Sequence, residues 1–347
     1  MGPGDDALAR YVERMATIKQ VTPLGEAVSY NNASLSVAGR IIERVTGQTY
    51  EAAMKELVFE PLGLNHCYFF PNEIMTRRFA VGHNQAADGT TTVARPWALP
   101  RGNQPAGGIS SNAGDQIAWA RFHLGDGRAA DGTRVLSETA LKRMQQATVE
   151  TAGSALGDAI GISWMLRDVE GVRLVGHGGD TNGQHSAFTM APERGFAVAS
   201  LTNCGPNGSE FNDLIVKWAL EEYIGVVQRD PEPVAMSDAD LAKYTGVYET
   251  IAVVCTVVVH ESGLALTPEM KPEVRAQLRE AGEEIPEETV TYQLGMLAGP
   301  GDRYVVSEGA AKGMTGYFAR NTSGLVDRVH VGGRLATRVE GSESTMS

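Results

Sequence analysis

From Ala33 to Gly47 apolar residues fall at Val37, Ala38, Ile41, Ile42 and Val45, three and four apart, a spacing that predicts an amphipathic helix with those residues on its packed face. Residues 5–20 carry the same period through Leu8, Tyr11, Val12 and Met15, and stop before the turn-forming Thr22-Pro23-Leu24-Gly25. A further helix follows Thr49 as cap, lined by Tyr50, Met54 and Leu57 and ending by Pro61 and Gly63. Residues 65–104, rich in Thr, Gly and Pro, read as short strands and loops. Helices are expected again over Ser110–Gly125, with Asn112 and Asp115 as its capping pair, and over residues 138–147, with Leu136 and Leu141 stapled around Ser137.

Beyond residue 160 the period changes to that of strands. Ile160–Leu166, Val172–His177, Ser186–Ala191 and Phe196–Asn203 are expected as antiparallel neighbours, the last two joined at Pro192-Glu193-Arg194-Gly195. Phe211, Leu214, Ile215 and Trp218 set a helix that ends at Gly225 and is expected to cover one face of that sheet. Val226–Ser237 reads as a linker, and the strand-like runs between Tyr244 and Val339 as a small antiparallel β-barrel or sandwich. The expected division is therefore an α+β domain over 1–228, a linker over 229–237, a β-domain over 238–341 and a disordered tail over 342–347. Within the β-domain, residues 268–288 are expected as a solvated loop or short helix.

A chain of 347 residues, 42% hydrophobic, has enough apolar surface for about two cores of ordinary size. Its net charge of -12 argues against nucleic acid or an anionic membrane as partner, since no basic patch is present to displace counterions. Cys67, Cys204 and Cys255 are odd in number and far apart, which is the pattern of reduced thiols and not of a disulfide framework or zinc site. No apolar run reaches the ~18 residues of a membrane span, and the first ten residues lack the regions of a signal peptide, so the expected location is cytoplasmic.

Four stretches carry chemistry: Tyr30-Asn31-Asn32 ahead of the first long helix, PAGGISSNAGDQIAWARF over 105–122, GHGG over 176–179, and AFTMAPERGFAVASLTN over 187–203. In this order they resemble the serine β-lactamase-like hydrolases, the family of class C β-lactamases, penicillin-binding D-alanyl peptidases and related esterases. The resemblance covers about residues 20–225, and the C-terminal run is similar to the lipocalin-like domain attached to many of them. It implies that Tyr30 and Asn32 form the family's Y-x-N, with Tyr30 as proton shuttle. His177 then stands at the position of its K-T-G lysine, Gly178 and Gly179 line the acyl group, and the N–H of Asp180 is an oxyanion donor. It implies a small ester, amide or peptide substrate and no cofactor. A metal reading of His177, Asp180 and His185 has no reinforcing pattern of ligands.

One motif of that family has no counterpart. No Ser stands three residues before a Lys, and Thr139 before Lys142 falls in an expected surface helix late in the order. The resemblance therefore implies a scaffold truncated at its N-terminus, without its first strands and nucleophile helix, whose sheet keeps an open edge and an uncovered apolar face. Three readings stay open: a serine hydrolase whose S-x-x-K comes from the true gene product or a partner chain, a non-catalytic relative that binds a ligand or protein, and an incomplete fragment.

Overall fold

Left-handed backbone at Gly47 (φ 72°) and Gly225 (φ 69°) ends two helices, Ala33–Thr46 and Asn207–Ile224, at the residues whose missing Cβ makes that conformation cheap. The computed structural model describes residues 2–86, 88–97, 99–280, 289–309 and 311–341. Two compact units emerge. The first takes in the chain up to Val21, then Asn31–Thr148 and Ile160–Gln228; the second takes in Thr22–Tyr30, Val149–Ala159 and the chain from Arg229 on.

In the first unit, Thr49, Asn112 and Ser137 cap helices through side-chain oxygens that accept from Ala52, Asp115 and Ala140 N–H. The helical core gathers Leu8, Tyr50, Phe59, Leu62, Leu64, Phe69, Phe122 and Leu141. The buried face of Ala33–Thr46 differs from the expected one: Ile41 is 58% and Val45 80% exposed, while Ser36, Gly39 and Glu43 are buried. The reason is close approach. A Cβ on Gly39 would collide with the Pro105 ring and touch Leu8, and Ser36 Oγ donates to Gly102 O at 3.0 Å, so this helix packs through its small residues. The first helix is also shorter than expected, Ala7–Arg14 followed by one 3₁₀ turn, Met15–Thr17. Beyond Met54 the second turn of its neighbour widens into a π-turn, Lys55–Phe59, and Leu57 faces solvent.

The sheet of this unit comprises β1 (Met165–Val169), β2 (Val172–Gly176), β3 (Gly179–Thr181), β4 (Gln184–Ala191) and β5 (Phe196–Thr202). β1 pairs with β2, β2 with β4, and β4 with both β3 and β5, all antiparallel. The expected strand over 160–166 is broken by a bend at Ile162-Ser163, where Ser163 has φ 61°. The Ala113–Leu124 and Asn207–Ile224 helices both pack on β4 and β5. Buried Asn212 fixes the second helix by accepting from Ser200 Oγ at 2.7 Å and donating to Thr202 Oγ1 at 3.2 Å. The face it presents to the sheet is Val216, Ala219 and Leu220, not the expected Phe211, Leu214 and Trp218, which are 54%, 58% and 53% exposed.

The second unit is built on a closed barrel of eight strands: β6 (Gly246–Glu249), β7 (Val253–His260), β8 (Gly263–Met270), β9 (Tyr292–Met296), β10 (Asp302–Val306), β11 (Thr315–Arg320), β12 (Val326–Val331) and β13 (Arg334–Arg338). Each pairs with the next, and β13 closes on β6 through Tyr248↔Arg338. Tyr248, Val257, Leu264, Leu266, Tyr304, Phe318 and Val329, all at most 2% exposed, fill it. Tyr304 Oη donates to His330 O and Tyr248 Oη to Tyr244 O, so both phenols are satisfied inside an apolar core. Thr22–Tyr30 and Val149–Ala159 lie on the outer wall. Glu26 pairs with Arg328, Ser29 Oγ accepts from Leu335 N–H, and Ala155 N–H donates to Thr315 O. Residues 268–280 extend β8 and add the helix Pro272–Glu280; the rest of the expected loop, and the expected tail over 342–347, lie outside the described residues. Among the described residues no helix is long and apolar enough to cross a membrane.

Candidate functional site

Two neighbouring asparagines at the start of the Ala33–Thr46 helix divide their work. Asn31 Oδ1 accepts from Ser34 N–H and Oγ–H, both at 2.8 Å, and so holds the first turn. Asn32 occupies the N-cap position without a side-chain cap bond and is exposed, so its amide points into solvent uncommitted to the helix. Tyr30 belongs to the second unit, half-buried, with its N–H donating to Gly333 O at 2.8 Å. Gly333 is in the left-handed region at φ 83°, and a Cβ there would sit 3.4 Å from Tyr30 Cβ and 3.1 Å from Leu156 Cδ2, so the β12–β13 turn fits closely against the tyrosine.

His177, Gly178, Gly179 and Asp180 run from the end of β2 into β3 in the first unit. His177 N–H donates to Phe188 O at 3.1 Å, and its Nδ1 lies 2.5 Å from Gly178 O, a contact that needs the proton on Nδ1. β4 itself gives both glycines a reason: an added Cβ would lie 3.0 Å from Ser186 O at Gly178 and 3.0 Å from Ser186 Oγ at Gly179. Gly179, Asp180 and Thr181 are all exposed, and among the described residues β3 pairs only with β4, so its outer edge faces solvent.

Sequence reasoning missed what Asp180 touches. Its Oδ1 lies 2.5 Å from His185 Nδ1 across the β3–β4 hairpin and accepts from Ser209 Oγ at 2.7 Å, while Ser209 Oγ is 2.8 Å from the same Nδ1. His185 is seated by two glycines: a Cβ on Gly205 would approach its Nε2 to 3.2 Å, and one on Gly208 its Cδ2 to 2.9 Å. A Ser-His-Asp relay needs serine and carboxylate on opposite ring nitrogens. Here both use Nδ1, and Nε2 is buried with no partner in the protein, so the cluster positions Asp180 and does not activate Ser209. The hairpin tip is tied down by amides: Gln184 Nε2 donates to Ala80 O, Asn182 Nδ2 to Arg95 O and Asn84 Nδ2 to Asn182 Oδ1. The signal available in the sequence was the Gly-Pro-Asn-Gly-Ser entry to the Asn207–Ile224 helix, whose glycines made space for a ring supplied by β4.

Other nucleophiles are poor. Burial pushes the Cys67 thiol up to about 11, and the Cys255 thiol likewise, so both stay protonated near neutrality. Thr139 lies in the surface helix Glu138–Met144, where Lys142 Nζ is held by Glu138 Oε1 at 2.5 Å. Gly107-Gly108 has a packing role, because a Cβ at Gly108 would collide with the buried Gln104 amide. Among the described residues no three His, Cys, Asp or Glu side chains converge as metal ligands would.

An antiparallel sheet between helices, with a glycine-rich strand edge open after His177, defines an α+β scaffold. The chain belongs to the Beta-lactamase family, whose profile matches residues 2–222. It is 38% identical over 255 residues to Penicillin-binding protein 4 of Amycolatopsis lactamdurans, across 72% of this chain and 66% of that protein. It is 26% identical over 221 residues to an unguisins hydrolase of Aspergillus campestris, across 62% of this chain and 40% of the relative. The chain thus spans just under two thirds of the length of the first relative and two fifths of the second. In fold it is similar to the crystal structure of SurE, with a TM-score of 0.71 and 21% identity over 98% of this chain and 75% of that one.

Proposed function

We propose that this chain carries the proton-relay and substrate-strand part of a serine acyl-transfer hydrolase acting on ester, amide or D-amino-acid peptide bonds. The Ser–Lys pair that forms the acyl-enzyme comes from sequence outside these 347 residues, in the same gene product or in a partner chain. The observation that carries the reading is the exposed, one-sided strand Gly179–Thr181 directly after His177-Gly178. An acyl chain can align along such an edge, with backbone N–H groups to meet the developing oxyanion. Tyr30 takes the role of carrying the proton between nucleophile and leaving group, and Asn32, with its amide uncommitted, that of holding the lysine and the substrate carbonyl. His177 orients substrate from the strand. Asp180, held by His185 and Ser209, keeps that strand in register.

The second reading, a non-catalytic binder, is favoured by the absence of any S-x-x-K in the sequence. One experiment separates them. The chain is assayed for ester hydrolysis and fluorophosphonate labelling alone, then with an S-x-x-K segment fused ahead of it or co-expressed. The hydrolase reading expects no label alone, turnover in the completed protein, a loss of about 10² to 10⁴ in Tyr30→Phe, a measurable but impaired His177→Ala, and Asn32→Ala between them. A stoichiometric adduct on the chain alone, or near-full activity in Tyr30→Phe with none in His177→Ala, would overturn it.

A further inference from the structure

A residue that passes a proton must be held to a fraction of an ångström, because a misplacement of about 1 Å can cost about a hundredfold in rate. Tyr30 has its hold on the barrel. β13 pairs with β6 through Thr337 and Arg338. Nearer the turn that opens β13, the Leu335 N–H donates to Ser29 Oγ at 3.2 Å and the Tyr30 N–H donates to Gly333 O at 2.8 Å. The same segment is pinned again at Glu26, whose carboxylate meets Arg328 of β12 at 2.7 Å. Asn31, the next residue, already belongs to the first unit, so the grip of the barrel ends on Tyr30 itself.

The turn is built to come close. It is a two-residue hairpin between paired Val331 and Arg334, with Gly332 at φ 55° and Gly333 at φ 83°, a turn type that needs left-handed backbone at both positions. The surroundings of the two glycines differ. Gly332 is exposed, and a Cβ there would meet nothing within 4 Å; Gly333 is buried, and its Cβ would lie 3.4 Å from Tyr30 Cβ and 3.1 Å from Leu156 Cδ2. Backbone freedom is therefore required twice, but a missing side chain only once, at the position that faces Tyr30.

We propose that the β12–β13 turn is the positioning element of the relay tyrosine, and that Gly333 is bare so that Tyr30 can seat against it. The inference rests on the hydrolase reading for the role of Tyr30. It makes the barrel part of the catalytic apparatus, through a residue that acts on Tyr30 and not on substrate. A fault at Gly333 then slows proton transfer and leaves substrate binding alone, so kcat falls while KM holds.

The test pairs Gly333→Asn with Gly332→Asn. Asparagine tolerates left-handed backbone, so both variants keep the turn, and only the first puts a side chain against Tyr30. In the chain as it stands, amide hydrogen exchange read residue by residue measures the hold. The Tyr30 N–H should exchange at least about tenfold faster in Gly333→Asn and at the native rate in Gly332→Asn. In the protein completed with an S-x-x-K segment, Gly333→Asn should lower kcat about a hundredfold with KM unchanged, and Gly332→Asn should leave both alone. Added to Tyr30→Phe, Gly333→Asn should cost nothing more, since the hydroxyl it displaces is already gone. Unaltered exchange at Tyr30, full kcat in Gly333→Asn, or an undiminished loss in the Tyr30→Phe background would overturn the proposal. So would an equal loss from Gly332→Asn. Near-full activity in Tyr30→Phe is a different result, which would overturn the hydrolase reading and this inference with it.

Discussion

His123 is the sharpest handle on the stability of the first unit. It is 2% exposed, wedged between Trp119 at 4.3 Å, Trp164 at 5.1 Å and Phe122 at 5.4 Å, and neither ring nitrogen has a partner in the protein. Burial alone drives its pKa down to about 4 from the ordinary 6.5. The folded state therefore keeps the ring neutral through a range in which the unfolded chain takes up a proton. Stability is fully present above pH 6.5 and is lost as pH falls toward 4. With 1.36 kcal/mol per pKa unit, the loss from this one residue is about 2 kcal/mol by pH 5 and about 3 kcal/mol by pH 4. The assay is urea unfolding followed by tryptophan emission at several pH values, for the native chain and for His123→Leu. All four tryptophans, Trp97, Trp119, Trp164 and Trp218, lie in the first unit, so the signal reports that unit. His330, also held near 4 by burial, is common to both proteins. Carboxylates shared by both proteins cancel in the difference. A gap between native and His123→Leu that stays constant from pH 7 to pH 4 would refute the reasoning.

Asn31→Ala should destabilise the first unit by about 1 kcal/mol through loss of its two bonds to Ser34, while Asn32→Ala should stay within about 0.5 kcal/mol; the same urea titration at pH 7 reads both. Tyr304→Phe should cost the second unit about 1 to 2 kcal/mol by leaving the buried His330 carbonyl without its donor, read from the barrel's thermal transition by circular dichroism.

Local signals in the sequence served well. The caps at Thr49, Asn112 and Ser137, the glycine stops at Gly47 and Gly225, and the Pro192–Gly195 turn each depend on a few neighbouring residues, and each stands where the chain chemistry placed it. The buried faces of two helices were not legible, because hydrophobic periodicity gives no weight to small residues. Ser36 and Gly39 win over Ile41 and Val45 by allowing a proline ring to come close, and Asn212 anchors its helix through hydrogen bonds, not apolar area. In the candidate site the His177-Gly178-Gly179 run was visible as a string. The hold on Asp180 by His185 and Ser209 was not, since Ser209 comes from a helix 29 residues further on. Nor could any local pattern assign Thr22–Tyr30 and Val149–Ala159 to the barrel wall.

That last feature bears on the order in which the molecule can come into being. The Glu26–Arg328 pair joins residues 302 apart, and the Ser29–Leu335 bond residues 306 apart. On a ribosome adding about 5 to 20 residues per second, the segment ending at Tyr30 emerges roughly 15 to 60 seconds before the strands it rests on. Throughout that interval it leads into the Ala33–Thr46 helix with its own docking surface not yet made. The first unit must therefore begin to take shape around a tether whose docking surface is made about 300 residues later.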